Sequence, residues 1–264
     1  MKAPPSEPRR ITVCADDFGL SQAACQSILQ LGAAGAINAT SCAVDGPYVA
    51  EHLPALRALR PALAVGLHLN LTENSVFTGT RPLTGWIAAT YLRLRLDRSA
   101  LRAEIARQLQ RFETLFGTPP DFIDGHEHVH QFPVIRDLLL AELQQRANTH
   151  LWLRCTWPQR YRGPKAAVIG LLGAKALRRQ LRLRGLHYNS DFAGVYDLVS
   201  EHGYDTRLRG WLAGLADGGV LMCHPELPGP QTSPARAAEH RYLASPHWLA
   251  LQEEARVSLT STPS

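Results

Sequence analysis

The stretch Ile11-Thr-Val-Cys-Ala-Asp-Asp-Phe-Gly-Leu-Ser21 (ITVCADDFGLS) sets the pattern on which the rest of the chain is read. Ile11 to Ala15 is short and apolar, as a strand buried on both faces would be. It stops at a pair of carboxylates, and Ser21 offers an N-cap for a helix running to about Ala34. One strand, one acidic strand end and one helix make a unit.

Further units follow. A second strand spans Asn38 to Val44, turns at Asp45-Gly-Pro47 and leads into a helix through Leu53-Pro-Ala-Leu-Arg-Ala-Leu59. The third strand is Ala64 to Leu71. From Thr72 to Asp97 the pattern lapses into Gly, Pro, Thr and Asn around Trp86, an excursion over one end of the fold. Strands at 120–124, 151–155 and 219–223 then alternate with helices at 99–116, 132–146, 166–183 and 206–216. Repeated strand–helix units predict an α/β fold with parallel strands, either open and doubly wound or closed as a (β/α) barrel. The barrel is preferred, because polar clusters recur at the C-terminal strand ends: Asp16-Asp17, His68 with Asn70, Asp124 to His130, Arg154 and His224. A barrel gathers those ends on one face. A single barrel domain over 11–257 is expected, after a flexible segment at 1–10 and before a polar tail at 258–264.

Composition narrows the function. With 264 residues, 45% apolar and 19% charged, the chain is an ordinary globular one. The net charge of +5 is modest, and its densest basic run, Lys175 to Arg184, has apolar residues at helical intervals. That is a solvated amphipathic helix without a nucleic-acid module, so no nucleic acid partner is expected. Five scattered cysteines read as buried reduced thiols. No signal-like core or apolar run long enough to span a bilayer is present, so neither export nor stable membrane insertion is expected and the predicted location is cytoplasmic.

The chemistry concentrates in Asp124-Gly-His-Glu-His-Val-His-Gln-Phe-Pro133. In extended backbone Asp124, His126, His128 and His130 would share one face. Imidazoles with carboxylates suit one divalent ion, zinc by ligand type, or a harder ion such as magnesium if waters complete its shell. At Asp16-Asp17, one carboxylate can bind the ion while its neighbour takes a proton from water; helix capping is the alternative role for either.

Four blocks in order carry a resemblance: Ala15-Asp-Asp-Phe-Gly-Leu-Ser21, Gly66-Leu-His-Leu-Asn-Leu-Thr72, Asp124 to Pro133, and Cys223-His-Pro225. Together they resemble the YdjC-like carbohydrate deacetylases, which include chitooligosaccharide deacetylase and a hopanoid-biosynthesis-associated relative. The resemblance runs from about Ile11 to Leu243. It implies a distorted (β/α) barrel and metal-dependent removal of acetyl from an N-acetylated amino sugar, free, in an oligosaccharide or on a glycolipid. By position it implies Asp17, His68 and His130 as metal ligands and Asp16 as general base. Asp124, His126 and His128 are then expected to orient those groups or touch substrate. Members often have Asp-Ser-His-x-His where this chain has Asp124-Gly-His-Glu-His.

His224, at a strand end, is the candidate to protonate the leaving amine. Arg154 is expected to bind a sugar hydroxyl or a carboxylate, or else to form an internal ion pair. Trp86 and Trp157 are read as sugar-stacking or packing residues. Two other classes stay open: a silent carbohydrate-binding or regulatory protein, and another metal hydrolase such as a phosphoesterase. A homodimer is compatible with the sequence.

Overall fold

The structure is a computed structural model, and it describes residues 7–60, 62–73, 75–92, 94, 96–146 and 151–263. Strand β1 (Arg9–Phe18) leads into helix α1 (Gln22–Ala33), where Ser21 Oγ accepts the Ala24 N–H as the sequence predicts. Then come β2 (Ala39–Cys42), α2 (Val49–Leu59), β3 (Ala64–Leu69), α3 (Leu83–Tyr91), α4 (Arg98–Phe116) and β4 (Phe122–Gly125). A 3₁₀ turn at His126–Gln131 precedes α5 (Ile135–Gln145) and β5 (Trp152–Leu153). Helix α6 (Pro164–Ile169) passes through a π turn, Gly170–Ala174, into α7 (Lys175–Arg184). The chain ends with β6 (His187–Tyr188), β7 (Phe192–Ala193), α8 (Tyr204–Gly214), β8 (Gly219–Cys223), α9 (Pro234–Leu243), α10 (Pro246–Ala255) and β9 (Val257–Leu259).

All pairings are parallel, in the order β6-β5-β4-β3-β2-β1-β8-β7, with β9 added to β1. The consecutive strands β6 and β7 stand at opposite ends of that order, so the sheet curls into a half-barrel that remains open between them. The expected distorted barrel is therefore an α/β half-barrel wrapped by helices.

Strand periodicity explains where the site forms. Residues Val13, Ala15, Val65, Leu67, Ile123, Leu153, Leu221 and Cys223 belong to the outer core under the helices. Cys14, Ala39, Ala64, Phe122, Trp152, Val220 and Met222 form a separate inner cluster, in which the Phe122 and Trp152 rings stack 4.3 Å apart. Gly66 makes room for them, since a Cβ there would lie 2.5 Å from the Phe122 ring. Side chains two residues apart share a face. The inner positions after Cys14, Ala39, Gly66, Phe122, Trp152 and Met222 are thus Asp16, Ser41, His68, Asp124, Arg154 and His224. An apolar layer at the bottom of the curl is capped by a polar one.

Several expectations change. The excursion at 72–97 contains α3, whose Trp86 is buried and donates its Nε1–H to the Leu71 carbonyl at 2.9 Å, so Trp86 is a packing residue and not a sugar platform. Trp157 is half-buried with the Lys175 ammonium 6.0 Å from its ring centre. The helix expected over 166–183 is broken at the π turn, where Gly173 adopts φ 100° and lies so close to the Gln131 carbonyl that a Cβ would come within 2.1 Å. Of the segment read as flexible, Arg9 and Arg10 are in β1, and residues 1–6 lie outside the described residues. Ser258 and Leu259, read as tail, pair in β9 with Arg10 and Ile11. All five cysteines are buried free thiols, and no helix among the described residues is long and apolar enough to cross a membrane.

Candidate metal and catalytic site

The acid pair divides its labour through the backbone. Asp17 adopts φ 69°, a left-handed conformation that Asp tolerates better than most residues. This turn sends the two neighbouring carboxylates in different directions. Asp16 goes to Arg154, whose guanidinium fork meets its oxygens at 2.5 and 2.6 Å. The same guanidinium reaches Asp124 Oδ2 at 2.7 Å. Arg154 is fully buried, so of its expected roles the internal ion pair is the one realised. Burial would raise the Asp16 pKa, but the Arg154 guanidinium holds its carboxyl well below the usual carboxylate range.

Asp124 passes this order on to His68. Its Oδ1 lies 2.7 Å from His68 Nδ1, and Ser41 Oγ is 2.9 Å from the same nitrogen. With the Nδ1 proton donated to the carboxylate, Nε2 is left to face the cavity as a lone pair. There His68 Nε2 stands 3.3 Å from Asp17 Oδ1 and 3.3 Å from His126 Nδ1, and His126 Nδ1 is 3.2 Å from Asp17 Oδ1. Three acceptor-type atoms thus form a nearly equilateral triangle. Donors about 2.1 Å from a shared centre are separated by roughly 3.4 Å in a tetrahedral shell and roughly 3 Å in an octahedral one. The observed spacing lies between, and the donor set of one carboxylate and two imidazoles fits a divalent cation. Without such a charge the ring itself supplies one. Burial opposes protonation of His68, but Asp124, Asp17 and Asp16 outweigh it and raise its pKa to about 10.

The third donor is His126, where the sequence reading had His130. Extended backbone ends at Gly125, and Glu127 and His128 take left-handed φ values of 51° and 60° inside the 3₁₀ turn. The alternation that would have put three rings on one face stops with the strand. His126 turns to Asp17. His128 lies edge-on to Phe192, with ring centres 5.9 Å apart, and lines the cavity. His130 is fully buried, and its Nε2–H donates to the Arg154 carbonyl at 2.9 Å. Burial lowers its pKa to about 4, so it is a neutral strut beneath Arg154. Gly125 packs against that strut, since a Cβ would approach His130 Nδ1 to 3.0 Å.

His224 follows β8 and lines the same cavity of about 560 Å³. Its Nδ1 is buried and has no hydrogen-bond partner among the described residues, and burial lowers its pKa despite Asp17 and Asp16. Its backbone N–H is gripped by Glu239, a buried carboxylate on α9 that also accepts the Tyr196 hydroxyl at 2.7 Å. Burial pushes Glu239 up to about 7. Also from α9, Arg236 reaches Asp17 Oδ2 at 3.0 Å and Glu226 at 3.2 Å, so only Oδ1 of Asp17 is turned to the triangle. Sequence reading missed Ser41, Arg236 and Glu239. Ser41 had a signal, the inner position two after Ala39. The other two lie on a helix outside every strand end, and nothing in their local sequence marks them.

The ion-pair layer supports a stability prediction. Replacing Arg154 by Met would leave Asp16 and Asp124 as uncompensated buried carboxylates. Urea unfolding should show a loss of about 3–5 kcal/mol, as for other broken buried pairs. A loss under about 1 kcal/mol would mean that the carboxylates are solvated or protonated without it.

Fold and site define a parallel α/β half-barrel with an acid–imidazole centre at the C-terminal ends of its strands. Within that class, residues 10–254 match the family model of YdjC-like proteins, and the chain belongs to that family. It is 32% identical over 226 residues to a chitooligosaccharide deacetylase of Serratia marcescens, with 81% of each chain covered. Identity is 37% over 145 residues to the chitooligosaccharide deacetylase of Proteus mirabilis, where the match spans 52% of this chain and only 56% of that relative. A crystal structure from Enterococcus faecalis V583, of a protein named for a suggested role in cellobiose-phosphate cleavage, superposes with a TM-score of 0.69 at 21% identity. It covers 96% of this chain and 97% of that one, and shows the shared fold.

Proposed function

We propose that the protein is a metal-dependent carbohydrate deacetylase that hydrolyses the acetamide of an N-acetylated amino sugar, in an oligosaccharide or on a glycolipid. The observation that carries this reading is the triangle of Asp17, His68 and His126 beside a separate, ionised Asp16 and a cavity-facing His224. Asp17, His68 and His126 would hold one divalent ion, zinc or magnesium, which supplies Lewis acidity toward water and an acyl oxygen. Arg154 keeps Asp16 ionised and fixed, so Asp16 is the group that accepts the proton of the attacking water. Asp124 holds His68 in the tautomer that binds through Nε2. His224 takes that proton on from Asp16 and returns it to the nitrogen as the C–N bond breaks, because an amide nitrogen leaves poorly without one. The names of the curated relatives support the sugar acetamide as substrate.

A phosphoesterase with two ions fits less well. Among the described residues the second cluster of candidate donors is Cys14, Asp16 and Asp124, and the Arg154 guanidinium already pairs with both of its carboxylates. Five buried free thiols accord with a reducing, cytoplasmic setting.

The test is acetate release from N-acetylglucosamine oligomers by purified protein whose metal content has been measured. Chelation should abolish release, and zinc or magnesium should restore it. No acetate from any N-acetylated sugar across a metal series would overturn the reading.

A further inference from the structure

Helix α9, which follows β8, grips the strand ends at a point that the reaction scheme leaves unexplained. Glu239 is 1% exposed and forms no ion pair among the described residues, yet both of its oxygens are engaged. Oε1 accepts the Tyr196 hydroxyl, and Oε2 accepts the backbone N–H of His224. A buried carboxylate is a costly way to fill space, and two donated hydrogen bonds are what make it tolerable. Its partners come from different strand ends: Tyr196 follows β7 and His224 follows β8, and both line the cavity. The same turn is tied to α9 again, by the Glu226 N–H on the Arg236 carbonyl at 3.2 Å and by the Arg236–Glu226 ion pair. Pro225 stands between these ties and has no N–H of its own to anchor. The His224 ring, by contrast, has no hydrogen-bond partner at Nδ1 among the described residues, whereas its backbone is tied by Glu239.

We propose that Glu239 is a positioning residue, which fixes the His224 backbone and the Tyr196 wall so that the His224 ring points at the leaving nitrogen. The inference rests on the reading of His224 as the proton donor. Glu239 touches no substrate, and it acts through the geometry of the segment that it holds.

The experiment compares Glu239→Ala and Glu239→Gln with the unmodified protein, each loaded with the same metal, on two substrates. One is an N-acetylglucosamine oligomer, whose nitrogen needs a proton to leave. The other is p-nitrophenyl acetate, whose leaving group needs none. Glu239→Ala should lose about a hundredfold in kcat on the sugar and only about threefold on the ester, because a general acid is required in proportion to the basicity of what leaves. Glu239→Gln can take the His224 N–H on its amide oxygen and donate its amide N–H to the Tyr196 oxygen, so it should recover about tenfold of that loss. The ring ¹⁵N shifts of His224 should move in the Ala variant and return toward the original values in the Gln variant, which reads position without turnover. Equal losses on ester and sugar, or unmoved His224 shifts in a folded Ala variant, overturn the proposal. If Glu239→Ala does not fold, the Gln variant decides by its rate ratio: about tenfold lost on the sugar with the ester nearly unchanged supports the proposal, and equal losses on the two substrates overturn it. An unmodified protein that releases no acetate from any N-acetyl sugar would sink the functional reading instead, and the His224 shifts would still decide whether Glu239 positions that ring.

Discussion

His126→Ala is expected to strip the protein of stoichiometric divalent metal and to lower acetate release by about 10³- to 10⁴-fold, the rate equivalent of the several kcal/mol that a Lewis acid contributes. His130→Ala is expected to keep the metal. The two rings differ in what their nitrogens face. Nδ1 of His126 looks across 3.2–3.3 Å at Asp17 and His68, whereas Nε2 of His130 is committed to the Arg154 carbonyl. The His130 variant should instead lose about 1–3 kcal/mol of stability, the cost of leaving a buried carbonyl unpaired. Metal analysis of both purified variants decides the matter. Metal lost from His130→Ala and retained in His126→Ala would restore the assignment suggested by position in the sequence.

The second large effect is expected at Asp16. Asp16→Asn should retain metal, because Asp16 contributes nothing to the triangle, and should lose about 10² to 10⁴ in turnover, the usual worth of a general base. The substitution also removes a charge from the paired layer, so the melting temperature should fall as well. Turnover measured well below the melting transition separates the two effects. Near-normal turnover with metal bound would mean that some other group takes the proton.

Much of this was legible before any coordinates. The alternation of buried strands with amphipathic helices announced a parallel α/β fold. The polar residues at successive strand ends announced a site, and Asp16, Asp17, His68, Asp124, Arg154 and His224 all stand there. What could not be read was backbone that departs from the regular. The alternation rule holds for His68, Asp124 and His126, and it fails for His128 and His130 because the backbone turns left-handed at Glu127 and His128. No local signal in Gly-His-Glu-His distinguishes two more strand residues from two left-handed ones. The two-residue strands β6 and β7 are set by sheet neighbours and carry too short a pattern to register on their own. Arg236 and Glu239 were invisible for a related reason, since their importance depends on which strand end α9 happens to cover. Family resemblance pointed to Asp16 and Asp17, which the structure places at the end of β1, while the order of the histidines depends on the turn.

The addition of β8 and β9 to β1 bears on how the molecule comes to exist at all. β1 carries both carboxylates of the candidate site, and although β2 pairs with it soon after in sequence, its other partners, β8 and β9, begin only at Gly219 and Val257, a separation that makes loop closure slow. The two carboxylates therefore cannot meet His224 or Arg236 until nearly the whole polypeptide has been made. During that interval an acidic strand end is exposed in place of a purely greasy one, and mutual repulsion of neighbouring carboxylates discourages edge-to-edge association of nascent chains. The same two carboxylates that face the finished pocket thus put charge on the edge of its unfinished strand.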